Sequence, residues 1–194
     1  MRKSNNQTKS KIVSAAWQLF YDQGFANTTV DEIIRLSGTS KGSFYHYFEG
    51  KDALLETLSL IFDEKYEELQ QEMDEDMDAV EALAFLNREL FAMIDNRVSL
   101  ELLARLLSSQ LVTRGDKHLL DRNRTYFKLL HRIVRRGQER GELRRDLTAN
   151  EIVKGYAMFE RALMYDWCLV GGEYALNRYA AVMMPTFLEG YRQK

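Results

Sequence analysis

Between Thr29 and Phe48 the sequence opens a helix, stops it within two turns and opens another, and few folds admit that arrangement. Thr29-Val-Asp-Glu32 reads as a capping box, with the Thr29 hydroxyl and the Glu32 carboxylate each satisfying a free backbone N–H. Ser37-Gly38-Thr39 ends this helix, and Gly38 supplies the positive φ that a tight turn demands at no steric cost. Ser40 then caps a second helix running to Phe48. Two short helices joined by a glycine-containing turn are the sequence form of a helix-turn-helix.

The second helix has the composition of a surface that touches something other than its own core. Phe44 and Phe48, four apart, make one buried edge. The remainder, Ser40, Lys41, Gly42, Ser43, Tyr45, His46 and Tyr47, is small, basic or hydrogen-bonding. A helix entering a major groove needs small residues for close approach and Lys or hydroxyl groups to reach base edges and phosphates. The alternative is that the aromatics are core residues of a bundle, and for Phe44 and Phe48 that is the better account.

The rest of the chain reads as helix. A first helix spans about 8–23, with Ile12, Ala16, Leu19 and Phe20 on one face and Gly24 at its end. A long fourth helix starts at Lys51-Asp52, with Leu54, Leu55, Leu58, Ile61 and Phe62 as its apolar face. Helical stretches follow at about 78–95, 98–112, 116–140, 148–170 and 173–191, the last bent or interrupted by Pro185. Gly115, Gly141 and Gly171-Gly172 mark the breaks. With one proline and no strand alternation, the fold class is all-α with about nine helices. The expected division is a helix-turn-helix domain at 1–50 and a helical domain at 51–194.

Charge agrees with this division. Residues 1–51 hold seven Lys/Arg against four Asp/Glu, whereas the remainder is net acidic, so the chain's overall −2 conceals a basic N-terminal part. The single Cys168 excludes an internal disulfide and a cysteine-rich metal site, and its apolar neighbours predict an inert thiol. With no signal-like N-terminus and no apolar run long enough for a span, a cytoplasmic protein is expected. No Gly-rich phosphate loop or HExxH is present, and His46, His118 and His131 lack metal-like spacing. A non-enzyme without metal or cofactor is therefore expected.

The run from Thr28 to Lys51 resembles the DNA-binding signature of the TetR (tetracycline-repressor) family, and the resemblance covers about residues 8–55. It implies that Thr29 caps the second helix and touches a phosphate, and that Lys41, Gly42 and Ser43 approach the bases. It further implies that Tyr45 and Tyr47 hold phosphates or thymine methyls and that Lys51 grips a phosphate. Tyr47 stands where His is frequent, and Ile34 and Ser37 where Ala is frequent. Thr28, Ser40 and His46 complete the candidate DNA-binding set, and Arg2 and Lys3 form a candidate minor-groove arm. Arg136–Leu147 resembles the turn before the family's dimerisation helices.

One recognition helix contacts too few bases for useful specificity, so a homodimer on a palindromic duplex is expected. The resemblance places the dimer on the last two helices, with Phe159, Leu163, Trp167, Met184, Phe187 and Leu188 as candidate interface residues. A small-molecule pocket in the C-terminal domain is expected from Phe62, Phe85, Phe91, Tyr126, Phe127, Met158, Glu160 and Asp166. Glu160 and Asp166 fall ~120° to either side of Lys154 among apolar neighbours, where a charge needs a partner. That partner is either a basic group across the dimer or a ligand in a cavity. The implied function is a ligand-released repressor, with a helical interaction module, or a regulator without a ligand, as the alternative.

Overall fold

The computed structural model describes residues 2–74, 76–112 and 117–194, and of residues 2–6 the backbone alone. The break expected at Gly115 and the side chains of Arg2 and Lys3 lie outside the described residues. Nine α-helices are present among them, with no extended strand.

Three helices make the N-terminal unit: α1 (Arg2–Gln23), α2 (Val30–Ser37) and α3 (Lys41–Tyr47). The capping box forms as the sequence predicts, with Glu32 N–H donating to the Thr29 hydroxyl at 3.3 Å and Thr29 N–H to the Glu32 carboxylate at 2.8 Å. Gly38 takes φ +64° at the end of α2, and the N–H of Thr39 reaches back to the Ile34 carbonyl at 3.2 Å. Ser40 caps α3 by accepting from Ser43 N–H at 3.1 Å. Ile12, Phe20, Ile33, Phe44 and Phe48 close the core of this unit.

A 3-10 segment, Lys51–Thr57, leads into α4 (Leu58–Glu72), where the sequence suggests a single long helix. Gly50 brings no side-chain cap, and the Thr57 hydroxyl spends its proton on the Leu54 carbonyl at 2.6 Å. The same hydroxyl oxygen accepts from the Trp17 indole at 2.8 Å, so the tight segment is bolted to α1.

The helical body continues with α5 (Ala79–Arg97), α6 (Leu100–Val112), α7 (Thr125–Arg140), α8 (Ala149–Leu169) and α9 (Leu176–Leu188). The helix expected from 116 starts only at Thr125, because Asp121 takes the Asn123 N–H at 2.9 Å and turns the chain first. α9 passes through Pro185 and ends three residues later in a 3-10 turn, Glu189–Tyr191. α8 opens with a second capping box, Thr148 with Glu151, which the spacing Thr-x-x-Glu also announces. α5 lies along α9, and α4, α5, α7 and α8 surround a shared apolar core that includes Leu83, Leu130 and Tyr156. The chain end is tied down by Arg144 N–H to the Tyr191 carbonyl and by Arg192 to Asp78 at 3.0 Å.

Gly137 in α7 is a point of close approach. A Cβ there would overlap the Cβ of Ala79 at the start of α5 and press on Leu143. The Ala79 Cβ is fixed directly to the backbone and cannot swing aside. Gly137→Ala should cost about 1–3 kcal/mol, lowering Tm by roughly 2–4 °C per kcal/mol for a domain of this size. Thermal denaturation followed by circular dichroism checks it, and an unchanged Tm would contradict the packing.

Candidate functional site

α3 presents the first candidate surface. Phe44 and Phe48 anchor it in the core, leaving Lys41, Gly42, Tyr45 and His46 exposed and Ser43 and Tyr47 half-buried. Lys41 pairs with Asp31 of α2 at 3.5 Å, but both side chains are largely exposed, at 68% and 78%. Such a pair is worth about 0–1 kcal/mol, so an incoming phosphate or base edge can replace Asp31 at little cost. Gly42 has an ordinary helical backbone, and a Cβ there would meet only the Ser40 hydroxyl at 3.9 Å. Nothing in the chain requires glycine at this position, although glycine costs about 0.8–1 kcal/mol in a helix. Close approach by an external partner is a sufficient reason for it.

Two members of the predicted set are placed differently. Thr28 is 1% exposed, its hydroxyl donating to the Gly24 carbonyl at 2.8 Å, and so it belongs to the turn between α1 and α2. The Lys51 ammonium donates to the carbonyls of Phe25, Ala26 and Thr28 at 2.7, 3.2 and 2.8 Å. An ammonium has three donors, and all are committed to the backbone. Lys51 therefore acts as an internal clamp, which local sequence could not reveal because its acceptors lie 23–26 residues earlier. The Thr29 hydroxyl is exposed but already donates to Glu32 at 2.7 Å. Its bonds, with that of the Thr29 amide, hold the Glu32 carboxyl below its ordinary value.

A second candidate site lies inside the helical body. Glu160 of α8 is 3% exposed and meets no cation at hydrogen-bonding distance. Its carboxylate accepts from the hydroxyls of Tyr126 of α7 at 2.7 Å and Tyr66 of α4 at 3.4 Å, and the Tyr156 hydroxyl of α8 lies 3.3 Å away with its one proton nearer the Leu83 carbonyl, at 3.1 Å. The Asn87 amide of α5 adds a further bond at 3.2 Å, while the Asn87 Oδ1 is buried without a donor. Burial pushes the Glu160 carboxyl above its ordinary range against the pull of these bonds. Burial and the Glu160 charge push all three phenols far upward, so they stay protonated as donors.

Beside this cluster is a cavity of about 30 Å³, with Phe62, Tyr126, Glu160, Arg124, Arg161 and Met164 in its wall. Arg124 forks onto Asp63 at 2.9 and 3.1 Å and is thereby neutralised. Of the predicted pocket residues, Phe62, Tyr126 and Glu160 come together here. Phe91 and Phe127 are core, and half-buried Phe85 lies under the Arg88 guanidinium. Met158 is 54% exposed on the outer face of α8, and Asp166, exposed, accepts from the Tyr174 hydroxyl at 3.0 Å. Glu160 is hydrogen-bonded within the chain without a basic group from across a dimer. Local sequence gives no signal for Tyr66 of α4, Asn87 of α5 or Arg124 just before α7, which meet only in the folded chain. The missed Tyr156 does carry a sequence signal, since it stands one turn before Glu160.

The predicted interface residues Leu163, Trp167, Met184 and Leu188 are buried within the single chain, and Phe159 stacks on Phe187 at 4.2 Å. The exposed apolar positions of α8 and α9 are instead Met158, Tyr165, Leu169, Tyr179 and Val182. Cys168 is inert, burial pushing its thiol up to about 11.

Comparison with known proteins fits the first surface. Residues 12–58 match the family model described as bacterial regulatory proteins, tetR family. The HTH-type transcriptional regulator YxaF of Bacillus subtilis is 33% identical over 100 residues, covering 50% of this chain and 52% of that protein. The match thus spans about half the length of that relative. The HTH-type transcriptional regulator TtgR of Pseudomonas putida is 27% identical over 150 residues, covering 71% of this chain and 70% of that protein. The solved structure of FadR from Thermus thermophilus, a TetR-family repressor in complex with lauroyl-CoA, superposes with a TM-score of 0.75. It covers 93% of each chain at 23% identity, which shows a shared fold.

Two outcomes follow from the geometry. Gly42→Ala should raise thermal stability by about 0.5–1 kcal/mol while weakening duplex binding, at an overpacking cost of about 1–3 kcal/mol. Fluorescence anisotropy and melting on the same preparation check it, and unchanged binding would remove the close-approach account. For Glu160, the folded-state value lies above the unfolded one, so its ionisation opposes folding. That cost is absent below the ordinary carboxylate range and complete once pH exceeds the raised value. Glu160→Gln should therefore melt higher near neutral pH, by roughly 2–4 °C if ~1 kcal/mol is relieved, and lose that advantage in acid. A Gln variant that melts lower at neutral pH would contradict this.

Proposed function

Since this chain belongs to the TetR family of helix-turn-helix transcriptional regulators, we propose that it acts as a homodimeric repressor, released from a palindromic operator by a small molecule. Residues 1–50 serve as the DNA-reading unit and 51–194 as the dimerising, ligand-binding unit, working in the cytoplasm where the operator is found. Lys41 and Tyr45 reach base edges and phosphates, while Gly42 and Ser43 allow the helix to seat deeply in the major groove. The observation that carries this reading is α3 itself, anchored by Phe44 and Phe48 and leaving Gly42 and Tyr45 exposed on its outer face.

Dimerisation uses the exposed stripe on the last two helices. Met158, Tyr165 and Leu169 lie at i, i+7 and i+11 on α8, a spacing that keeps them on one face. Tyr179 and Val182 of the adjoining α9 extend the patch. A contiguous apolar patch of this kind on a water-facing surface marks an interaction site. The ligand binds in the body at the Glu160 cluster and acts by favouring one spacing of the two α3 helices over another.

Selection from a random duplex library should return a two-fold-symmetric site. Lys41→Ala should weaken binding to it by about 1–3 kcal/mol, and log affinity should fall linearly with log salt for the wild type. Sedimentation should give a dimer that Leu169→Glu and Val182→Glu split, with operator binding lost alongside. Failure to enrich any duplex, or a wild-type monomer at micromolar concentration, would overturn the reading.

A further inference from the structure

A cavity of about 220 Å³ lies between the C-terminal end of α4, the start of α5 and α7. It sits at the opposite end of α4 from the helix-turn-helix and shares no wall residue with the cavity beside Glu160. Half-buried Met73 and Met77 and buried Ala82 and Ile133 give it an apolar lining. The unbranched methionines can shift to fit a ligand. Its volume is below the roughly 300–1,000 Å³ of pockets for drug-sized molecules, so the molecule it suits is a small one.

The charges in its wall are unevenly matched. Arg132, Arg136 and Arg140 stand four apart on α7, a like-charged row that disfavours the helix unless acids intervene. Arg140 has them, Asp76 at 3.6 Å and Glu142 at 3.8 Å. The other Glu142 oxygen accepts the Ala79 N–H at 2.9 Å, so this carboxylate is engaged on both sides. Arg132 and half-buried Arg136 line the cavity with no ion pair or hydrogen bond among the described residues. Asp74 is the one wall carboxylate that no described cation meets, and its Oδ1 accepts the Asp76 N–H at 2.9 Å. Two unanswered guanidinium groups therefore stand against one such carboxylate, beside an apolar lining.

We propose that this cavity binds a small carboxylate with an aryl or short alkyl body, the carboxylate on Arg132 and Arg136 and the body against Met73, Met77 and Ile133. A guanidinium fork matches both oxygens of a carboxylate, and a bound anion relieves the repulsion between the two arginines. A neutral apolar ligand would leave the arginines unanswered, and a cation would face both of them. Binding here requires nothing of the Glu160 cluster.

Calorimetry on the full chain compares 3-phenylpropionate with 3-phenylpropan-1-ol, 3-phenylpropylamine and acetate. The acid should bind at one site about tenfold or more tightly than the alcohol, the gap between a charged and a neutral hydrogen bond. Acetate, which lacks the apolar body, and the amine should bind more weakly than the acid. Arg136→Gln should weaken the acid about tenfold, and Arg132→Gln combined with it should bring the acid down to the alcohol. Neither arginine is bonded within the described fold, so these variants should melt as the wild type does. Asp74→Asn keeps the turn acceptor and should tighten the acid, while Arg161→Gln, in the wall of the Glu160 cavity, should leave it unchanged. Acid binding that survives the double variant, acetate, alcohol or amine binding as tight as the acid, or no acid binding at millimolar concentration would overturn the proposal. So would acid binding lost in Arg161→Gln and kept in the double variant, which puts the carboxylate beside Glu160 instead.

Discussion

The Lys51 ammonium holds the DNA-reading unit to the helical body. It stands at the start of the 3-10 segment that leads into α4, and its three donors close onto the carbonyls of residues 25, 26 and 28 in the turn before α2. Phe25, buried in that turn, has Lys51 over one aspect of its ring at 4.6 Å and Arg105 of α6 at 4.9 Å. The Trp17–Thr57 bond fixes α1 to the same segment. Each of these contacts is directional, so the orientation of α3 follows that of α4. A rotation of α4 must either carry the helix-turn-helix with it or break a charge-assisted hydrogen bond. Rigid linkage of this kind carries a repacking in the helical body to α3.

The two surfaces of the molecule are built on opposite principles. α3 faces outward with weak intrachain attachments: Lys41 leans on an exposed Asp31, and Gly42 accepts a loss of helix propensity. The Glu160 cluster faces inward, where strong hydrogen bonds surround a charge that burial disfavours. Both are departures from the most stable choice of residue, and departures of that sort concentrate where a protein binds something.

The last two helices carry two apolar faces. Leu163, Trp167, Met184 and Leu188 turn toward the chain's own core, while Met158, Tyr165, Leu169, Tyr179 and Val182 turn away from it. A helix apolar nearly all round is what a chain needs when one face packs inside and the other meets a partner. Which face of residues 156–170 turns inward is not legible in their sequence. Periodicity gives the angle between residues and leaves open which side the rest of the chain covers.

What the sequence determined alone was local: the Thr29 capping box, the Gly38 turn, the Ser40 cap and the Phe44/Phe48 edge all arise from residues within four positions of each other. Such signals act through backbone geometry and need no tertiary context, which is why α2 and α3 formed within a residue of their predicted bounds. Tertiary structure alone decided the rest. Lys51 could have met a phosphate, but carbonyls 23–26 residues away lie within its reach. Glu160 could have met a base across a dimer, but Tyr126, Asn87 and Tyr66, which are 34, 73 and 94 residues distant, converge on it first. A long or buried polar side chain takes whichever partner the packing of helices brings near, and that packing is a property of the whole chain rather than of any window in it.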